Sequence, residues 1–189
     1  NHVARFQEAI SGAMDMIEHI APETAETCLD SMHIFAVFTC SGSRIKGGTS
    51  STSVGLSFFC MEEIWTIHNI ALSYIHECVH NALFIEDMIN GLFAKQKYLE
   101  GDAQVISAVR QVPRNYDLAF HAGCVALELA NFKKKVGTGR LDSNLVQRAK
   151  FAFAALEQTL VEQKSIGRSP LTPNGESVLA GLAQEARML

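Results

Sequence analysis

Between residues 67 and 84 the chain runs eighteen positions without Gly or Pro, with Ile70, Tyr74, Ile75, Val79, Leu83 and Phe84 at helical spacing. A helix apolar over most of its circumference has to be buried. Yet its centre reads His76-Glu77-Cys78-Val79-His80, three ionisable side chains in five residues. Polar groups forced into a core cost kcal/mol each unless something satisfies them. On a helix, positions i and i+4 share one face, so His76 and His80 can reach a single divalent ion while Glu77 projects beside it. A buried His-Glu-x-x-His helix is therefore read as a metal site. A non-enzymatic helical binding domain would instead need protein partners for all three side chains. Cys78 falls on the opposite side of the helix from both His and reads as core.

The rest of the chain is organised around comparable helices. Val3, Phe6, Ile10, Met14, Ile17 and Ile20 recur every three or four residues, which predicts an amphipathic helix closed by Pro22. Residues 32–39 and 54–59 are rich in aromatic and branched side chains and read as buried strands, joined by a polar loop over 41–53. The central helix is expected from about 64 to 92, and 95–116 looks less regular. Further helices are predicted over 118–136, 145–160 and from 176 onward. With helices dominant and the strands consecutive, the expected architecture is a single α+β domain over 1–189, long metal-binding helices packed with a small antiparallel sheet.

Size and charge narrow the function. A chain of 189 residues with 48% hydrophobic content can build one full core. Its net charge of −4 and pI near 6.0 leave no electrostatic footprint for nucleic acid, and Lys133-Lys134-Lys135 reads as a solvated helix end. No apolar run approaches the roughly 18 residues that span a bilayer, and no signal peptide is evident. The chain opens on Asn1, so native residues before it are expected. Five cysteines, Cys28, Cys40, Cys60, Cys78 and Cys124, in apolar settings without a C-x-x-C pair point to a reducing, cytoplasmic compartment. Oligomeric state stays open.

Two His do not close a coordination shell, and the third ligand decides the chemistry. Asp87 lies on the same helix about 10 Å along the axis from His80, too far for one ion, and suits a supporting role. Glu100 follows His80 by twenty residues, the spacing of a third ligand in zinc peptidases of the gluzincin type. His121 lies in another apolar helix, where Ala122 and Gly123 would let the metal helix approach closely. Both Glu100 and His121 stand as candidates.

The order of these features resembles the HExxH-motif domain found in natural-product and peptide-modification gene clusters. The likeness rests on the Gly/Ser-rich loop from Gly47 to Gly55, the His76–His80 helix, an Arg followed by Phe120-His121-Ala122, and the closing segment Leu171-Thr-Pro-Asn-Gly175. It spans about residues 40–185. It implies Fe(II)- and 2-oxoglutarate-dependent hydroxylation of a peptide or amino-acid-derived substrate. His76, His80 and His121 would hold the iron, with Glu77 orienting a ligand or the substrate. The 2-oxo acid needs a cation for its distal carboxylate, and Arg114 and Arg44 are the candidates. The alternative is a zinc hydrolase in which Glu77 is general base on the water that zinc activates. That reading asks for a substrate-binding edge strand beside the helix, with residues 54–59 as its candidate, and for a hydrogen-bond donor such as Tyr98 or Tyr116.

Overall fold

The computed structural model describes residues 2–39, 47–61, 65–94, 101, 103–107, 112–137 and 143–189. It is helix-dominated α+β. Its elements are α1 (His2–Ile20), α2 (Pro22–Ser31), β1 (Ile34–Thr39), β2 (Gly47–Thr49), β3 (Leu56–Met61), α3 (Ile67–Asn90), β4 (Gln104–Ile106), β5 (Pro113–Asn115), α4 (Tyr116–Val136), α5 (Ser143–Ser165) and α6 (Pro173–Met188). The chain separates into two compact units, Asn1–Ile85 and Glu86–Leu189, and the division falls inside α3. No helix among the described residues is long and apolar enough to cross a membrane.

In the first unit Pro22 does end α1, but it also starts α2, where a missing backbone N–H costs nothing at a first helical turn. The sheet has the order β1-β3-β2. It is mixed rather than antiparallel: β1 runs parallel to β3, with Ile34 opposite Leu56, and β2 runs antiparallel to it, with Gly48 opposite Phe58. Sequence adjacency had suggested the antiparallel pairing. The connection between β1 and β3 is long enough to carry β2 on the way, which permits the parallel one. The Phe35 ring packs on Phe59 and Tyr74, centroids 4.3 and 5.3 Å apart, and so seats one sheet face on α3. On the other face Phe38 and Phe58 stack at 5.7 Å while Ile34 remains 60% exposed, so β1 is half-buried rather than a fully buried strand.

The second unit is built on α4, α5 and α6, with Phe120, Phe132, Phe153, Leu156 and Leu179 buried between them. A Cβ on Gly123 would stand 3.2 Å from the Ala152 Cβ and 3.6 Å from the Phe153 ring, so this small residue serves the approach of α5. The Tyr116 hydroxyl, wholly buried, donates to the Leu156 carbonyl at 3.0 Å. The 95–116 stretch contains a short antiparallel pair, Val105 opposite Arg114. Gly137, at φ +67°, caps α4 after Lys133, Lys134 and Lys135, whose charges suit the carbonyl end of a helix.

Helix α3 ends on a fitted joint. Gly91 takes φ +67° and donates its N–H to the Asp87 carbonyl at 3.0 Å. Thr172 then caps α6 by accepting from the Gly175 N–H, and its hydroxyl donates to the Gly91 carbonyl at 2.7 Å. A Cβ at Gly175 would collide with the Leu92 carbonyl, so only glycine fits where α6 meets this turn. The closing segment noted in the sequence is thus the clasp between the α3 end and α6.

Candidate functional site

The His-Glu-x-x-His pentad lies mid-helix in α3, as its periodicity requires. His76 and His80 are half-buried, their ring centroids 5.0 Å apart and inclined at 63°. An imidazole bound through nitrogen at about 2.0–2.1 Å has its centre about 3.2 Å from the metal, so two rings at a tetrahedral angle stand about 5 Å apart. The observed pair has that separation. Burial pushes the His76 pKa below its ordinary value, which favours the neutral ring a metal needs.

Glu77 is 6% exposed, and its Oε2 is buried without a hydrogen-bond partner. Loss of solvent raises its pKa to about 7. A carboxylate beside two imidazoles, desolvated and half unsatisfied, has the chemistry of a group waiting for a cation, a water or a substrate. His76 and His80 thus supply two imidazoles on one side of α3, two possible ligands rather than a closed set. Among the described residues, no group of three or more His, Cys, Asp or Glu is arranged to hold a metal ion.

What holds the pentad in place is Asn81, fully buried, the residue after its last His. Its Oδ1 accepts from the Gly55 N–H at 2.8 Å and the Thr49 hydroxyl at 3.1 Å. Its Nδ2 donates to the Ser57 hydroxyl at 2.9 Å and the Glu77 carbonyl at 3.2 Å. One amide thus ties α3 to both β2 and β3. Sequence reading passed over it, although an Asn in an otherwise apolar helix was the available signal.

The strand beside the site is also corrected. Residues 54–59 were the candidate edge, but β3 is central, paired on both sides. The strand that flanks Glu77 is β2: a Cβ on Gly47 would stand 3.4 Å from Glu77 Oε1 and 3.1 Å from the Phe58 carbonyl. Glycine there brings backbone against the carboxylate. Behind the helix, Cys78 is 1% exposed and faces Cys28, as its core reading expected. Cys28, Cys78 and Cys124 are free thiols, whereas Cys60 is disulfide-bonded, which corrects the reading of all five as free.

His121 belongs to the second unit, on α4, 6% exposed. The Phe93 ring lies along it, centroids 6.1 Å apart and 24° from parallel. Burial pulls its pKa down to about 4, against an opposing pull from Asp87. Asp117, one turn earlier on the same face of α4, has a buried Oδ1 without a hydrogen-bond partner. Burial raises its pKa, and the Leu118 and Asp117 backbone N–H groups, with a smaller pull from Arg114, partly offset this. Arg114 is half-buried on β5. Asp87 is not a ligand candidate: its Oδ1 accepts from the Leu92 and Phe93 N–H groups at 2.7 and 3.0 Å. Tyr116 spends its hydroxyl in the core and is no donor to a substrate. Arg44, Glu100 and Tyr98 lie outside the described residues.

Compared with known proteins, the chain matches no family model and no curated sequence.

Proposed function

We propose that this chain is a metal-dependent oxygenase, using Fe(II) and 2-oxoglutarate to hydroxylate a peptide or amino-acid-derived substrate. The carrying observation is the His76–His80 ring pair at 5.0 Å beside the buried, half-unsatisfied Glu77 carboxyl. His76 and His80 would hold the ion, with His121 and Glu100 as the sequence candidates for the third ligand. Bound iron would supply activation of O₂ together with the 2-oxo acid. The chain's own residues do the rest. Arg114 or Arg44 would pair with the distal carboxylate of the 2-oxo acid, a charge-assisted contact of roughly 1.5–3 kcal/mol. Glu77, titrating near 7, can hold or accept a proton beside the substrate.

A specific observation favours a second reading. A pKa of about 7 is what a general base needs at neutral pH, and Gly47 on β2 brings a strand against that base. In a zinc hydrolase Glu77 would take the proton of the attacking water.

The free thiols of Cys28, Cys78 and Cys124 support a cytoplasmic placement, and the disulfide at Cys60 argues for an oxidising one. No nucleic-acid partner is proposed at a net charge of −4.

The test is to reconstitute the protein anaerobically with Fe(II), add 2-oxoglutarate and O₂, and follow succinate. Succinate that disappears in His76→Ala and His80→Ala supports the oxygenase. Its absence, with Glu77-dependent peptide hydrolysis by the zinc form, establishes the hydrolase instead.

A further inference from the structure

On the side of α3 away from the two imidazoles, the first unit packs α2 against it through side chains that a purely apolar core does not require. Cys28 and Ser31 share one face of α2, three residues apart, and Tyr74 and Cys78 share one face of α3, four apart. All four are buried, the two cysteines to 1% exposure. The Ser31 hydroxyl donates to the Cys78 carbonyl at 3.4 Å. Cys28 and Cys78, both free thiols, are hydrogen-bonded to each other, and Tyr74 stands close to both.

Core packing explains the burial, since a free Cys behaves as a small hydrophobe. It does not explain why two sulfurs 50 residues apart in the chain face each other across two helices. Sulfur against sulfur is the arrangement from which a disulfide closes. We propose that Cys28 and Cys78 are a reversible dithiol–disulfide pair, whose oxidation ties α2 to α3 behind the His-Glu-x-x-His pentad. With hydrogen peroxide as oxidant, one sulfur attacks a peroxide oxygen and the O–O bond breaks. The thiol proton leaves with the departing hydroxide as water, and a sulfenic acid remains. The second sulfur then attacks the first, the S–O bond breaks, and a second water carries off the other thiol proton. In sum the dithiol gives up two electrons and two hydrogens, the peroxide becomes two waters, and an S–S bond of about 2.05 Å forms. A dithiol reductant reverses the step. Burial, and after it the hydrogen bond to Cys28, push the Cys78 pKa up, so the attacking thiolate is scarce. The pair therefore oxidises slowly and responds to sustained rather than brief exposure.

The test treats the folded, chelator-washed full chain with hydrogen peroxide, blocks the remaining thiols with iodoacetamide, and maps its peptides without reduction. A linked pair of peptides carrying Cys28 and Cys78 is expected, two hydrogens lighter than their sum and separated by dithiothreitol. Cys124, on α4 of the second unit, is the internal comparison and should stay out of that link. Closing a loop of this length should raise the urea midpoint of the oxidised chain by about 1 M. Cys78→Ser, which keeps the disulfide at Cys60, should show no such rise, and Cys28→Ala repeats the control from the other helix. Recovery of Cys28 and Cys78 unlinked, each alkylated or carried on to a sulfinic acid, would overturn the pair. So would a urea midpoint that falls on oxidation, because the bond would then pull the helices out of their packing instead of tying them.

Discussion

Glu77 sets up a stability experiment whose sign is opposite to that of most acidic residues. Burial raises its pKa from the ordinary 4.5 to about 7. Below pH 4.5 both folded and unfolded chains hold the proton, and the group contributes nothing. Between 4.5 and 7 the unfolded chain ionises while the folded one resists, so folding is progressively disfavoured. Above 7 the full penalty is in place, about 3 kcal/mol at 1.36 kcal/mol per pKa unit. Glu77→Gln removes the titration but keeps the shape. Its amide brings a desolvation cost of its own, so the absolute stability difference is ambiguous; the change of that difference with pH is not. In urea unfolding of chelator-treated protein from pH 4 to 8.5, the variant should gain about 3 kcal/mol on wild type across the range. Other titrating groups are common to both proteins and cancel. A flat difference, or one with wild type gaining as pH rises, would show that the carboxylate is solvated or paired and remove the main physical sign of a functional site.

Three further outcomes are expected. Asn81→Leu strands the Gly55 N–H and the Ser57 hydroxyl, while the Thr49 hydroxyl keeps the Leu56 carbonyl, so it should cost about 3 kcal/mol by denaturant titration and, on the proposed reading, loosen metal binding at His80. Gly175→Ala drives a methyl group into the Leu92 carbonyl and should lower the melting temperature, with a loss of about 2 kcal/mol. His121, a base whose pKa burial lowers from 6.5 to about 4, contributes in the reverse direction to Glu77. Metal-free wild type should lose up to about 3 kcal/mol relative to His121→Phe as pH falls from 6.5 through 4, again by urea unfolding.

Much of the fold was legible in the chain because helix periodicity is a local property. The apolar stripes place α1, α3, α4, α5 and α6 within a few residues, and the conflict between an apolar helix and His76, Glu77 and His80 marks the site. Three residues of β2 lie hidden in a Gly/Ser-rich stretch, since a strand that short has no period to read. The direction of β1 against β3, the central place of β3 and the open face at Ile34 are all pairing decisions, made between segments rather than within one.

The amino-acid sequence by itself determined that the His-Glu-x-x-His pentad would occupy a buried helix, because spacing puts i and i+4 on one face and hydrophobicity buries it. Only tertiary structure decided what that burial means for each group. Glu77 Oε2 is left without a partner, while β2 approaches Oε1 through Gly47. Asn81 becomes the bolt of the site because Gly55, Ser57 and Thr49 arrive from two strands. Asp87 serves a turn rather than an ion because the chain reverses at Gly91. Gly123 faces α5 because packing partners are chosen by whole faces. Desolvation and hydrogen-bond partnership are properties of the space around a side chain, and that space is filled by residues far away in the chain.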